Sequence, residues 1–99
     1  MDSNGTILIA EDERTARLSL SELLESRGYR VVQAEDGPQA LAALMQKTAN
    51  PQRIDAGLLD IRMPGLDGLG ILKRARESGI DIPVIVMTDD GARRQRHCD

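Results

Sequence analysis

The sequence contains no phenylalanine and no tryptophan, and Tyr29 is its only aromatic residue. Any core must therefore be built from Leu, Ile, Val, Ala and Met, without ring stacking. Cys98 is the only cysteine, which excludes an internal disulfide and fits a reducing, cytoplasmic compartment. No apolar stretch approaches the ~20 residues needed to cross a bilayer. The acidic N-terminus, MDSNGTILIAEDE, carries an apolar run too short for a signal peptide. The net charge is −3 and the acids are spread along the chain, so neither a nucleic-acid face nor a membrane surface is expected. The G-x-x-x-x-G-K loop that cradles nucleotide phosphates is missing, which argues against a nucleotide hydrolase.

What remains is a chain of 99 residues, 40% apolar and 29% charged, the size of one small domain with one aliphatic core. Short apolar runs alternate with longer amphipathic segments. TILIA (Thr6–Ala10), RVVQA (Arg30–Ala34), IDAGLL (Ile54–Leu59) and IPVIVM (Ile82–Met87) read as strands, the last with Pro83 near its start. Between Glu13 and Arg27, the spacing of Ala16, Leu20, Leu23 and Leu24 predicts one face of a helix, closed by Gly28. Gly37 and Pro38 are the expected N-cap and first residue of a second helix, with Ala40, Leu41, Leu44 and Met45 inward. Asp67 is the expected N-cap of a third helix, with Leu69, Leu72 and Ala75 inward and Gly79 at its end. Strand-helix alternation of this kind predicts an α/β fold, an open parallel sheet with helices on both faces.

In such sheets, sites form beyond the carboxyl ends of the strands. Glu11, Asp12 and Glu13 follow the first strand, Asp60 the third, and Thr88 and Asp89 the fourth. In a flavodoxin-like order, 2-1-3-4, the first and third strands are neighbours, which brings Glu11, Asp12 and Asp60 to one rim. Carboxylates so crowded repel one another unless a proton or cation compensates, and a hard ion such as Mg²⁺ suits oxygen ligands. A carboxylate beside that ion can act as a nucleophile toward phosphorus, with Thr88 as a hydroxyl donor. Each residue also has a simpler reading: Asp12 as a helix N-cap, Glu11 and Glu13 as acids facing the helix dipole, Asp60 as a turn-former before Pro64-Gly65, and Thr88 as a strand end.

The stretches ILIAEDE, LLESRGYRVVQAEDGPQAL, LLDIRMPGLDGLGIL and IPVIVMT together resemble the receiver domain of bacterial two-component response regulators (CheY-like), over about Thr6 to Thr88. The resemblance implies that Asp60 accepts a phosphoryl group from a phosphohistidine on a sensor histidine kinase or phosphotransfer protein. It implies a Mg²⁺ ion held by Asp12, Asp60 and the backbone carbonyl of Arg62, with Glu11 assisting. It gives Thr88 a bond to a phosphoryl oxygen, and Met63, Pro64, Asp67 and Gly68 a part in shaping the loop. The family's fifth strand carries a lysine that pairs with the phosphoryl group. The only lysines here, Lys47 and Lys73, fall in helical segments and match no such role.

The expectation is therefore a receiver domain over 1–88 that lacks its fifth strand and last helix, followed by a disordered polar tail over 89–99. It acts as a phosphoacceptor and not as an enzyme, binds no nucleic acid directly, and can pair with another receiver through its exposed fourth strand. Two other readings stand beside this one. One is a receiver remnant that only contacts partner proteins. The other is a small Mg²⁺-dependent phosphatase using Asp60, weakened by the lack of a second carboxylate suitably spaced for general acid catalysis.

Overall fold

A computed structural model of the protein describes residues 4–47, 52–61, 63 and 67–87. Seven elements follow in order: β1 (Thr6–Ala10), α1 (Arg14–Ser26), β2 (Arg30–Ala34), α2 (Gly37–Leu44), β3 (Ala56–Asp60), α3 (Gly68–Glu77) and β4 (Val84–Met87). The strands form one sheet in the order β2-β1-β3-β4, and every pairing is parallel. This is the flavodoxin-like order that the sequence predicts.

Connectivity determines which face each helix covers. The crossover from β1 to β2 runs one way along the sheet, whereas β2 to β3 and β3 to β4 run the other way. Right-handed crossovers then put α1 on one face and α2 and α3 on the opposite one. The direction reverses between β1 and β3, so the crevice of the fold opens at their carboxyl ends. Because both faces of the central strand are covered, Leu8, Ile9 and Ala10 are buried in succession and do not alternate with exposed residues.

The core under α2 and α3 joins Leu8, Ala10, Ala34, Ala40, Ala43, Leu44, Ile54, Leu59, Ile71 and Ala75. Removing side chains such as Leu8, Leu59 and Ile71 from water contributes about 1.5–3 kcal/mol each. Small alanines let the helices approach the sheet closely without aromatic fillers. Helices α1 and α3 end where expected: Gly28 (φ +92°) and Gly79 (φ +87°) adopt the left-handed conformation in which glycine carries no Cβ penalty.

Three local expectations change. The N-cap of α2 is Asp36, whose Oδ1 accepts from the Gln39 amide at 2.8 Å, so Gly37 and Pro38 occupy the first turn. The buried positions of α1 are Arg17 and Ser21, while Ala16, Leu20 and Leu24 are half-buried and Leu23 is 51% exposed. In α3 the inward stripe is Gly68, Ile71 and Ala75, and Leu69 is 53% exposed. Strand β4 forms an outer edge of the sheet among the described residues, and its Ile85 is exposed.

Candidate functional site

The crevice is lined by carboxylates because two neighbouring strands end in register there. Ala10 pairs with Leu59, so the next residues, Glu11 and Asp60, face each other across the ladder. Asp60 is itself the last residue of β3, paired with Met87, and the Ile61 amide donates to the Met87 carbonyl at 2.8 Å. Asp12 follows as β1 gives way to the turn before α1. One carboxylate oxygen from each of Glu11, Asp12 and Asp60 lies within 4.8 Å of the others. The group runs from exposed Asp12 through half-buried Glu11 to Asp60, which is only 6% exposed.

Geometry removes the simpler readings of these residues. The N-cap of α1 is Glu13, without a side-chain capping bond, and no acid occupies the first turn of the helix. Asp12 is therefore not a cap. The Glu11 carboxylate accepts from the Glu13 amide at 3.1 Å and lies outside the helix. Asp60 belongs to a strand and not to a turn. Glu11 is held on its backbone as well: its amide donates to the Ala34 carbonyl at 3.1 Å, and its carbonyl accepts from Arg17 Nη1 at 2.9 Å.

Crowding has an electrostatic consequence at Glu11. Burial pushes its carboxyl from an ordinary 4.5 up to about 7. The Glu13 amide opposes this rise, whereas hydrogen bonding to Asp60 and Asp12 and the charge of Asp60 add to it. Burial and acidic neighbours thus disfavour a negative charge on Glu11 unless a cation compensates it. A hard divalent cation meets that need with oxygen ligands alone, and this all-carboxylate donor set fits Mg²⁺.

The sign of the pH effect follows from the direction of this shift. Between about 4.5 and 7 the folded chain holds a proton on Glu11 that the unfolded chain has released. The group's contribution to stability is full below its unfolded value and is lost as pH rises through about 7. In urea titrations without divalent cations, wild type should lose stability relative to Glu11→Gln between pH 5 and 8. Parallel pH profiles for the two proteins would show that Glu11 is ordinary. Added Mg²⁺ should abolish the difference in slope by displacing the proton.

Helix α3 begins directly against the end of β3. Asp67 caps α3, its Oδ1 accepting from the Gly70 amide at 2.8 Å. A Cβ on Gly68 would lie 2.6 Å from the Asp60 carbonyl oxygen, so only glycine lets the helix start directly against the strand end. Met63 is partly buried against the core. The positions Arg62, Pro64 and Thr88, and the tail over 89–99, lie outside the described residues. Sequence reasoning brought Glu11, Asp12 and Asp60 to one rim, with Asp67 as a helix cap and Gly68 as a loop-shaping residue from the resemblance, but overlooked Arg17. The signal was present: Arg17, Ser21 and Leu24 share a helical stripe, i, i+4 and i+7, with polar residues where leucines would suffice.

Comparison with known proteins agrees with this fold. A family model described as response regulator receiver domain matches residues 7–97. The response regulator MprA of Mycobacterium sp. (strain KMS) is 40% identical over 82 residues, which make up 83% of this chain and 34% of that protein. The chain thus matches about a third of the length of such curated relatives. Among solved structures, the Francisella response regulator 1452 receiver domain superposes with a TM-score of 0.76 at 32% identity, covering 86% of this chain and 66% of the other. The response regulator TrrA of Thermotoga maritima, solved in complex with Mg²⁺-BeF, gives a TM-score of 0.76 at 33% identity, with 85% and 69% covered. Among the described residues, no helix is long and apolar enough to cross a membrane.

Proposed function

This chain belongs to the response regulator receiver domain family, and we propose that it is the phosphoacceptor of a two-component phosphorelay, with Asp60 as the residue modified. The observation that carries the proposal is the convergence of Glu11, Asp12 and Asp60 within 4.8 Å at the switch point of the sheet. Asp60 is the natural nucleophile of the three, because it is the most buried and is fixed by the strand that bears it.

The donor is a phosphohistidine on a sensor kinase or phosphotransfer protein. An Asp60 carboxylate oxygen forms a bond to phosphorus as the phosphorus–nitrogen bond breaks, and the electron pair of that bond returns to the imidazole. Glu11, Asp12 and Asp60 would hold Mg²⁺, which would supply charge neutralisation for the transferring group. By the resemblance, the Arg62 carbonyl would add a further ligand, and the Thr88 hydroxyl would donate to a phosphoryl oxygen. Asp67 and Gly68 keep the start of α3 tight against the strand end, supported by the capping bond and the close backbone approach. The chain receives the group and is not itself an enzyme, and the reaction belongs to the cytoplasm. The complex of TrrA with Mg²⁺-BeF supports this reading by showing that a structural relative carries that combination.

The test is to incubate the purified chain with a small-molecule phosphodonor, with Mg²⁺ or with a chelator, and to follow the intact mass. A persistent phosphoryl adduct that requires Mg²⁺ is the expected result. An unmodified but cooperatively folding chain would point to a module that only contacts partners. An adduct that turns over continuously, consuming donor, would point to a phosphatase.

A further inference from the structure

Arg17 is 7% exposed, yet its partners are neutral. Nη1 donates to the Glu11 carbonyl at 2.9 Å and Nε donates to Gln33 Oε1 at 3.1 Å. Burying a guanidinium this way is costly, and an aliphatic side chain would pack α1 on the sheet at less expense. The return lies in what the fork joins. It links α1 to Glu11, the residue just after β1, and Gln33 of β2 holds the second arm. Ser21 Oγ, one turn on, donates to the Arg17 carbonyl at 2.8 Å. With Arg17 in place, Glu11 is held at its amide by Ala34, at its carbonyl by Arg17 and at its carboxylate by the Glu13 amide.

We infer that Arg17 is a positioning residue for the cation site, orienting the Glu11 peptide so that the Glu11 and Asp12 carboxylates meet Asp60. This rests on the reading of those three acids as a Mg²⁺ site and adds to it a supporting residue from α1. Outer-shell groups of this kind are worth about 10–100-fold in metal affinity. A purely electrostatic role would act in the other direction, because removing a positive charge near the acids should tighten cation binding.

Calorimetric titration of the metal-free chain with Mg²⁺ separates these roles, using wild type, Arg17→Met, Arg17→Lys and Gln33→Met. Positioning predicts that Arg17→Met weakens binding by about 10-fold or more. Arg17→Lys, which keeps a donor but not the two-armed fork, should recover part of that loss. Gln33→Met changes only an exposed side chain and should give a smaller loss in the same direction, which keeps the test open if Arg17→Met does not fold. Unchanged affinity in folded variants with lowered urea midpoints would overturn the inference in favour of a merely structural role. Tighter binding in Arg17→Met would overturn it in favour of a charge effect. Wild type that binds no Mg²⁺ would instead overturn the reading on which the inference rests, and the inference with it.

Discussion

Asp60→Asn should give no phosphoryl adduct at any time point with Mg²⁺ and phosphodonor, while folding at least as stably as wild type in metal-free buffer at pH 8. The first half follows from chemistry, since an amide oxygen is too poor a nucleophile to form the acyl phosphate. The second follows from the site's electrostatics. The charge of Asp60 is one reason that Glu11 resists ionisation, so its removal relieves a repulsion near the crevice. Wild type should recover the difference when Mg²⁺ is added: at 100 times its dissociation constant a ligand stabilises by about 2.7 kcal/mol. The variant should gain much less. Thermal melts with and without Mg²⁺, read beside the intact mass, check both halves. An adduct on Asp60→Asn would mean that another residue accepts the phosphoryl group.

Gly68→Ala should be the most damaging single-methyl change at this end of the molecule. Its new Cβ would meet the Asp60 carbonyl oxygen at 2.6 Å and the Ile61 Cα at 3.2 Å, and both are backbone atoms that cannot rotate away. Either α3 retreats, loosening Ile71 and Ala75 from the core, or the end of β3 shifts and carries Asp60 with it. Overpacking of this kind costs about 1–3 kcal/mol. Gly68→Val should cost more, since its branches add to the same clash. Urea midpoints should fall with little change in the slope of the transition, and phosphoryl uptake by the folded fraction should drop as well. Wild-type uptake in a Gly68→Ala sample would show that the strand end absorbs the methyl without moving Asp60.

Much of this was legible in the sequence because it depends on local patterns. Short aliphatic runs marked the strands, Gly28 and Gly79 marked helix ends, and the alternation fixed a parallel sheet whose order joined Glu11, Asp12 and Asp60. Strand limits moved slightly, as with β3, read as 54–59 and observed as Ala56–Asp60. The rotational phase of the helices was not legible. In α3 the spacing placed Leu69, Leu72 and Ala75 inward, and Ala75 is buried as read, but the close approach of Gly68 to Asp60 goes with Ile71 buried and Leu69 exposed. A long-range backbone contact decided this, and periodicity carries no record of it. In α1 hydrophobic spacing favoured the leucines, whereas two polar residues hold the inward face because their acceptors lie just beyond β1, on β2 and on the helix itself. The raised pKa of Glu11 was foreseeable only as crowding; that burial is its largest cause required the structure.

The central claim is that the carboxylates at the switch point make Asp60, and no other residue, the phosphoacceptor. Reductive trapping tests it most directly. The chain is treated with Mg²⁺ and phosphodonor and then with borohydride, which converts an aspartyl phosphate to homoserine, and the position is read by peptide sequencing in a mass spectrometer. The account predicts homoserine at position 60, absent when Mg²⁺ is chelated. Homoserine at another aspartate, or equal trapping at position 60 without Mg²⁺, would contradict it.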